Sequence, residues 1–488
     1  MQLNSNGRTI TLNEDQIKAL QAIDNWYRGP ELFFTLSGPA GSGKTTICKK
    51  AIEKFRKPVC ISAPTHKACK VVAKSTGLRS VTIQSLCGLR PDTNLEDVNE
   101  KNFTQQAEPK IKDYNAVLID EASMLNNLVY NKEREEWEPT GILSLIIRLA
   151  KESSTKVLFM GDVYQLPPVN EMVSEVFTHP EINLVQLTKV ERQQGSNPLM
   201  GVFDAIRSRI DAEDDVFDHV TQVIQNDAGE DQGVVFFKHG EEFFKKVMEA
   251  FGSQEFLDNP NFAKLLAFKN TAVKAWNSYI RQTIYNNTPE AIVKGEVLMS
   301  YTHLYDQNLG RNLITNSAEY KINSVNKKSI NWAGSNIEVY ETTMEDVDDM
   351  FGIKVPINIV VPGVKNYNTF LQCWHPLKEN AIRFKQWSSY YKFKNQFMLI
   401  EELRDTENKL ILKKDFDYAY ALTTHKSQGS TYRNVFVFED DIDTCQTRIV
   451  ANKLKYVALS RPTHMAYSLS QKTVEHERSN LSTAELSV

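Results

Sequence analysis

The segment Gly38-Pro39-Ala40-Gly41-Ser42-Gly43-Lys44-Thr45 constrains this chain more than any other. It has the spacing G-x-x-x-x-G-K-[ST], it follows the apolar run Leu32–Leu36, and it opens a stretch that reads as a helix. Its glycines let successive backbone N–H groups curl around one anion at a helix N-terminus, where the helix dipole also favours negative charge. Lys44 is then placed to reach the outer phosphates of a nucleotide, and the Thr45 hydroxyl to hold Mg²⁺.

Further apolar runs, Val59–Ser62, Ala116–Ile119, Val157–Met160 and Leu184–Val185, alternate with helical stretches over the first 190 residues. Runs without polar alternation suit parallel strands buried on both faces, so this part reads as a doubly wound α/β domain. The full length of 488 residues is enough for about three domains. With 41% hydrophobic and 24% charged residues, disorder as the dominant state is excluded. Lys and Arg number 57 against 61 Asp and Glu, for a net charge of −4, so any nucleic-acid binding must use a local groove. No apolar run reaches eighteen residues and Met1–Asn6 lacks a signal-peptide pattern, from which a cytoplasmic protein is expected. The six cysteines form no Cys-x-x-Cys pair and read as reduced, mostly buried thiols rather than a zinc site.

The strand-and-helix rhythm fails between Leu86 and Lys112, where a projecting hairpin at 87–111 is expected inside a first domain spanning 1–186. It returns at Leu265–Phe268, stops near 290, and resumes at Tyr418–Leu422 and Val435–Phe438. These read as strands of a second α/β domain, 187–290 with 415–488, interrupted by an accessory domain over 291–414. The accessory stretch has strand character at Ile357–Val361, then aromatics from Trp374 to Phe397 interleaved with Lys378, Arg383, Lys385, Lys392 and Lys394. Two readings fit that mixture: rings that stack on a single nucleic-acid strand, or an amphipathic helical arm that buries them.

Asp120-Glu121 ends the run Ala116–Ile119, 76 residues after Lys44. At such a strand end Asp120 can join a Mg²⁺ shell, and Glu121 can take a proton from an attacking water. Gln165, in Gly161-Asp162-Val163-Tyr164-Gln165-Leu166-Pro167-Pro168-Val169, also follows a strand, and its amide suits sensing of a γ-phosphate or the lytic water.

Taken in order, Gln16, Gly38 to Thr46, Ala63-Pro64-Thr65-His66-Lys67-Ala68, Asp120 to Ser123, Gly161 to Val169, Ala421 to Thr431 and Tyr456 to Arg461 resemble superfamily 1 DNA helicases, within them the RecD-like branch. The resemblance implies two RecA-like motor domains with ATP between them, coupling hydrolysis to 5′→3′ stepping on single-stranded DNA. It also implies a small SH3-like β fold with helices for the accessory insert. Gly38, Pro39, Ala40, Gly41, Ser42, Gly43, Lys44, Thr45 and Thr46 would hold the phosphates, with Gln428 and Gly429 also facing the nucleotide. Gln16 matches the glutamine that reads the adenine edge; without the resemblance it reads as an exposed polar residue. Arg192 and Arg461 match the two arginines placed at the γ-phosphate, where a planar, permanently charged guanidinium suits the spreading negative charge. Read in isolation, each would be a surface ion pair.

For the strand track the resemblance implies Pro64, Thr65, His66, Thr82, Gln84 and Ser85 in the first domain, and Thr423, His425 and Lys426 in the second. Hydroxyls, backbone N–H groups and a few cations are what sequence-independent binding needs. Gln84 stands where several relatives carry His. Phe103, the lone aromatic near the tip of the 87–111 excursion, would wedge the fork by stacking on its last base pair, the competing reading being that it packs the hairpin onto its own domain. Expected partners are single-stranded and forked DNA and replication proteins such as a single-strand binding protein, in phage replication or recombination; the protein is expected to be monomeric and to avoid membranes. A GTPase is disfavoured because no Asn-Lys-x-Asp motif occurs, and a one-domain kinase leaves the second α/β half unexplained. A translocase that displaces bound proteins without parting strands is the nearest alternative.

Overall fold

The apolar runs of the first 190 residues are parallel strands. The computed structural model of the chain describes residues 2–5, 8–39, 41–89, 107–131, 134–168, 171–189, 197–211, 219–306, 311–348 and 352–470. From edge to edge its first sheet runs Asn183–Gln186, Phe33–Ser37, Lys156–Gly161, Ala116–Ile119, Val59–Ala63 and Ser80–Thr82. Every pairing in it is parallel. Successive side chains on a strand point to opposite faces, which is why these runs carry no polar alternation. Phe34, Leu36, Ile61, Leu118, Leu158 and Met160 pack against helices Glu14–Arg28 and Lys44–Ile52 through Ile23, Trp26, Ile47 and Ala51. Phe33, Cys60, Val117, Ile119, Val157 and Phe159 pack on the opposite face, against Leu145, Ile146 and Leu149 of helix Ile142–Ser153. Each such side chain, fully buried, contributes about 1.5–3 kcal/mol.

The chain divides into two compact units, Met1–Lys238 with Thr424–Thr431 and Val437–Val488, and His239–Thr423 with Tyr432–Phe436. Within the first, Asp231–Phe237 pairs in parallel with Pro462–Leu469 and antiparallel with Gln222–Gln225. Within the second, Ala263–Ala267 pairs in parallel with Ala421–Thr423 and leads into helix Asn270–Ile284. Together with the first sheet, these parallel strands give the chain two RecA-like α/β domains.

Tyr418–Leu422, expected as one strand, is divided. Phe416–Tyr418 pairs antiparallel with Val297–Ser300, whereas Ala421–Thr423 joins the parallel pair. Asn277 holds the switch: its Nδ2 donates to the Tyr418 and Ala421 carbonyls at 2.9 and 3.1 Å, and its Oδ1 accepts from the Ala421 N–H at 2.7 Å. A side-chain amide thus satisfies backbone groups that a continuous strand would have paired with a neighbour.

The second unit also carries a five-stranded antiparallel sheet ordered Lys354–Val360, Ser335–Asp346, Glu319–Trp332, Val297–Ser300 and Phe416–Tyr418. Helices Val364–Phe384 and Ser388–Gln396 follow, and Phe370, Trp374, Phe393 and Phe397 bury against Ile337, Val339 and Val360 of the sheet. The burial reading of the aromatic stretch therefore holds for these rings, but Phe384, Trp387 and Tyr391 are exposed.

The middle of the 87–111 excursion, with Phe103, lies outside the described residues. Its ends meet, because the Ala107 N–H donates to the Gly88 carbonyl at 3.3 Å. Gly88 takes φ +73° there, and a Cβ would fall 2.3 Å from the Ala107 oxygen, so the position requires glycine. Cys48, Cys60, Cys69 and Cys87 are buried free thiols, and Cys373 and Cys445 are half-buried ones. Among the described residues, no helix is long and apolar enough to cross a membrane.

Candidate functional site

The phosphate loop leaves strand Phe33–Ser37 and enters helix Lys44–Ile52 at Gly43, whose φ of +85° suits only a residue without a side chain. A Cβ on Gly43 would lie 2.6 Å from Gln16 Nε2, and one on Gly38 would lie 2.7 Å from Ser42 Oγ. No side chain caps this helix, so its first-turn N–H groups, with Thr45 and Thr46, face the loop as an anion cradle. Lys44 Nζ folds back onto the carbonyls of Gly38 and, at 3.0 Å, Pro39. Ala40 lies outside the described residues.

Asp120 and Glu121 follow strand Ala116–Ile119, with the Asp120 N–H tied to the Ser62 carbonyl at 2.9 Å. Glu121 has φ +53°, a left-handed conformation that costs a non-glycine residue about 1–2 kcal/mol. The following turn, Ala122–Met124, starts from the Glu121 carbonyl, which accepts from the Met124 N–H at 3.1 Å. Burial pushes the Glu121 carboxyl up and the charge of Asp120 adds to this, while Arg461 and Lys44 draw it back, leaving it at about 7. Burial likewise raises Asp120 against the pull of the Glu121 N–H and Lys44. A carboxylate near neutrality is matched to taking up a proton.

Strand Lys156–Gly161 ends beside this pair, and Asp162 follows, almost wholly buried. Its carboxylate accepts from the Tyr456 hydroxyl at 2.8 Å and from the Tyr164 N–H at 3.0 Å. Gln165 is buried too, its backbone N–H held by the Asp162 carbonyl at 3.1 Å. Arg461 is no surface ion pair: it is 5% exposed, and its guanidinium donates to Val457 O at 3.1 Å, Ser460 Oγ at 2.8 Å and Ser430 O at 3.3 Å. This fixes a cation whose field reaches Glu121. Gly429, at φ +73°, closes the arrangement; a Cβ there would stand 3.2 Å from Ala68 Cβ and 3.7 Å from Glu121 Oε1.

Ser42 Oγ, Ser123 Oγ, Gln165 Oε1 and Gln428 Nε2 are buried without a partner in the protein. A buried polar atom left unmade costs about 1–3 kcal/mol, and all four belong to segments that converge on the loop and Glu121. The two serine hydroxyls and Gln428 Nε2 can donate to a polyanionic nucleotide, whereas Gln165 Oε1 is an acceptor and fits a water. No cluster of three or more His, Cys, Asp or Glu that could hold a metal occurs among the described residues. The Thr45 hydroxyl and the Asp120 carboxylate are hard oxygen donors of the kind that, with phosphate oxygens, could hold Mg²⁺.

Gln16 is not the exposed residue that its isolated sequence context suggests. It closes a capping box with Asn13, and its Nε2 donates to the Ser42 carbonyl at 3.1 Å, so it lines the phosphate loop. Among the expected strand-track residues, Pro64 is buried and Thr65 caps helix His66–Thr76, accepting from the Ala68 N–H at 3.2 Å. Thr82 caps helix Ile83–Cys87, Ser85 Oγ accepts from Lys110 Nζ at 2.9 Å, and Gln84 is half-buried between them in sequence. His425 and Lys426 sit half-buried in the turn Thr424–Ser427, where burial lowers the His425 pKa, and Thr423 ends its strand in the second unit. Arg192 lies outside the described residues. Sequence reasoning gave Asp162 and Tyr456 no role, although a lone carboxylate ending a buried strand, as Asp120 does, was a usable signal.

A glycine loop of this geometry, with carboxylates at the ends of neighbouring parallel strands, defines a P-loop nucleotide hydrolase. Comparison with known proteins narrows the class. Residues 11–213 match the family model of an AAA domain, and residues 418–467 that of a UvrD-like helicase C-terminal domain. The ATP-dependent DNA helicase dda of Enterobacteria phage T4 is 24% identical over 476 residues, covering 92% of this chain and 97% of that protein. The ATP-dependent RecD2 DNA helicase of Deinococcus radiodurans is 28% identical over 192 residues, 39% of this chain and 23% of that one. In fold, the chain is similar to the Pif1 helicase from Bacteroides, solved with ADP-AlF3 and ssDNA, with a TM-score of 0.51 and 16% identity over 97% of this chain and 98% of that one. Taken together, these likenesses are consistent with a superfamily 1 helicase.

Proposed function

We propose that this protein is an ATP-driven DNA helicase that moves 5′→3′ on single-stranded DNA and parts duplex ahead of it, as a monomer in a phage-infected host cytoplasm, during replication or recombination. The observation that carries the reading is the placement of Gly429 and Arg461 beside Glu121, because it brings the Thr424–Thr431 segment against the residues suited to hydrolysis. ATP phosphates would lie in the loop, with Lys44 on the β- and γ-phosphates and Gln16 at the adenine edge. Thr45 and Asp120 would hold Mg²⁺, which when bound neutralises charge on those oxygens. Glu121 takes the proton of the attacking water, Gln165 orients that water, and Arg461 with Arg192 stabilises the charge that spreads in the transition state. Gln428 and Gly429 sense the nucleotide from the loop that also carries His425 and Lys426. Together with Thr423 and the Pro64–His66 and Thr82–Ser85 segments, these would grip phosphates without reading sequence.

The polarity rests on likeness of the Ala63–Ala68 and Gly161–Val169 motifs and the insert to the RecD-like branch. Unwinding of duplexes bearing only a 5′ or only a 3′ single-stranded tail tests it, and activity on the 3′-tailed substrate alone reverses it. DNA-stimulated ATP hydrolysis without unwinding of a fork would make the protein a translocase instead. For strand parting we assign Phe103 as the wedge: stacking is worth roughly 1–3 kcal/mol, against about 1.4 kcal/mol for a duplex step. Phe103→Ala should lower unwinding severalfold at near-normal ATPase, and parallel loss of both would make it a packing residue.

A further inference from the structure

The aromatic stretch of the accessory region does not behave as one element. Phe370, Trp374, Phe393 and Phe397 are core, but Phe384 at the end of the first helix, Trp387 in the turn and Tyr391 in the first turn of the second helix are 55%, 39% and 47% exposed. The rings are ordered against one another: Trp387 and Tyr391 lie 5.9 Å apart at 35°, and the Arg383 guanidinium sits 5.2 Å over Phe384. Lys385, at φ +57°, makes the turn that brings the helix ends together. From Asn380 to Ile400 the sequence has four cations and no carboxylate, in a chain whose net charge is −4. Of the four, only Lys394 pairs with a carboxylate among the described residues, Asp415 at 3.2 Å.

We propose that this helical tip is a second contact for single-stranded DNA, in which unpaired bases stack on Phe384, Trp387 and Tyr391 while Arg383, Lys385 and Lys392 neutralise their phosphates. Exposed ring faces beside cations match a polyanion with accessible π-faces. Duplex DNA fits less well, since its base faces are already stacked on one another. The contact rests on the helicase reading above but uses none of the residues assigned to the strand track or the ATP site.

The test uses the full chain and two fluorescent oligo-dT ligands, one of about 8 nucleotides and one of about 30, bracketing a typical single-site footprint. One variant combines Phe384→Ser, Trp387→Ser and Tyr391→Ser; the other combines Arg383→Gln, Lys385→Gln and Lys392→Gln. Each should weaken binding of the long oligonucleotide about tenfold or more and leave the short one and its stimulation of ATPase unchanged. The charge variant should also reduce the salt dependence of long-oligonucleotide binding, by about 2 in the log–log slope for three phosphates. Unchanged long-oligonucleotide affinity in both variants overturns the second contact, and so does an equal loss for both lengths. If the unaltered chain binds neither oligonucleotide, the helicase reading itself fails and takes this one with it.

Discussion

The Tyr456 hydroxyl donates a 2.8 Å hydrogen bond to the buried carboxylate of Asp162, joining positions 294 residues apart in the chain. Tyr456 lies on helix Arg448–Leu459, which ends just before Arg461, and Asp162 anchors the backbone of Gln165. One bond therefore ties the helix that leads into Arg461 to the turn that presents the glutamine. Tyr456→Phe removes the donor and leaves Asp162, among the described residues, with the Tyr164 N–H as its one hydrogen-bond donor, and should lower unfolding free energy by about 1–3 kcal/mol. Denaturant titration reads this directly; an unchanged midpoint would mean that the bond contributes nothing to stability.

Lys44→Ala should abolish ATP hydrolysis while largely sparing binding to single-stranded DNA. The ammonium is held by loop carbonyls at the nucleotide cradle and belongs to no expected strand-track segment. Normal turnover in this variant would remove the loop from the active site.

Arg461→Ala should retain measurable ATP binding but cut turnover by ~10³-fold or more, as for arginines that stabilise phosphoryl transfer. Loss of the cation also removes one of the two charges that hold the Glu121 carboxyl down. Comparing single-turnover rates with nucleotide affinity separates the two effects, and an unaltered rate would exclude Arg461 from catalysis.

Acid should destabilise the protein through Glu439. Burial pushes this carboxyl up, but Lys455 at 3.2 Å, His219 at 2.9 Å and Ser468 at 2.5 Å hold it down at about 2. Asp443 shares Lys455 at 3.1 Å and pairs in turn with Arg448. A carboxyl depressed in the folded state stabilises fully above its ordinary value of 4.5, and that stabilisation is lost as pH falls through about 2. The depression corresponds to about 3 kcal/mol. Unfolding measured between about pH 6 and pH 2 should show a steeper loss in the unaltered chain than in Glu439→Gln, and identical slopes would contradict the assignment.

What the sequence determined by itself is what consecutive residues dictate. Gly38 to Thr45 specify an anion loop because glycines permit the φ values a backbone cradle needs, and the runs around Phe34, Ile61, Leu118 and Leu158 specify buried parallel strands because they lack polar alternation. Asp120, Glu121 and Gln165 were legible from their position after such strands. The 319–346 hairpin, the division of Tyr418–Leu422 and the Asp162–Tyr456 bond were not. Each depends on which distant segment arrives to pair or to donate: Asn277 at the strand switch, Tyr456 at the carboxylate. The stretch from Trp374 to Phe397 shows the limit most plainly, since its composition fits both burial and display. Tertiary structure alone decided that Trp374 is core and Trp387 is surface, because burial is set by the sheet that packs against a side chain and not by the side chain's own chemistry.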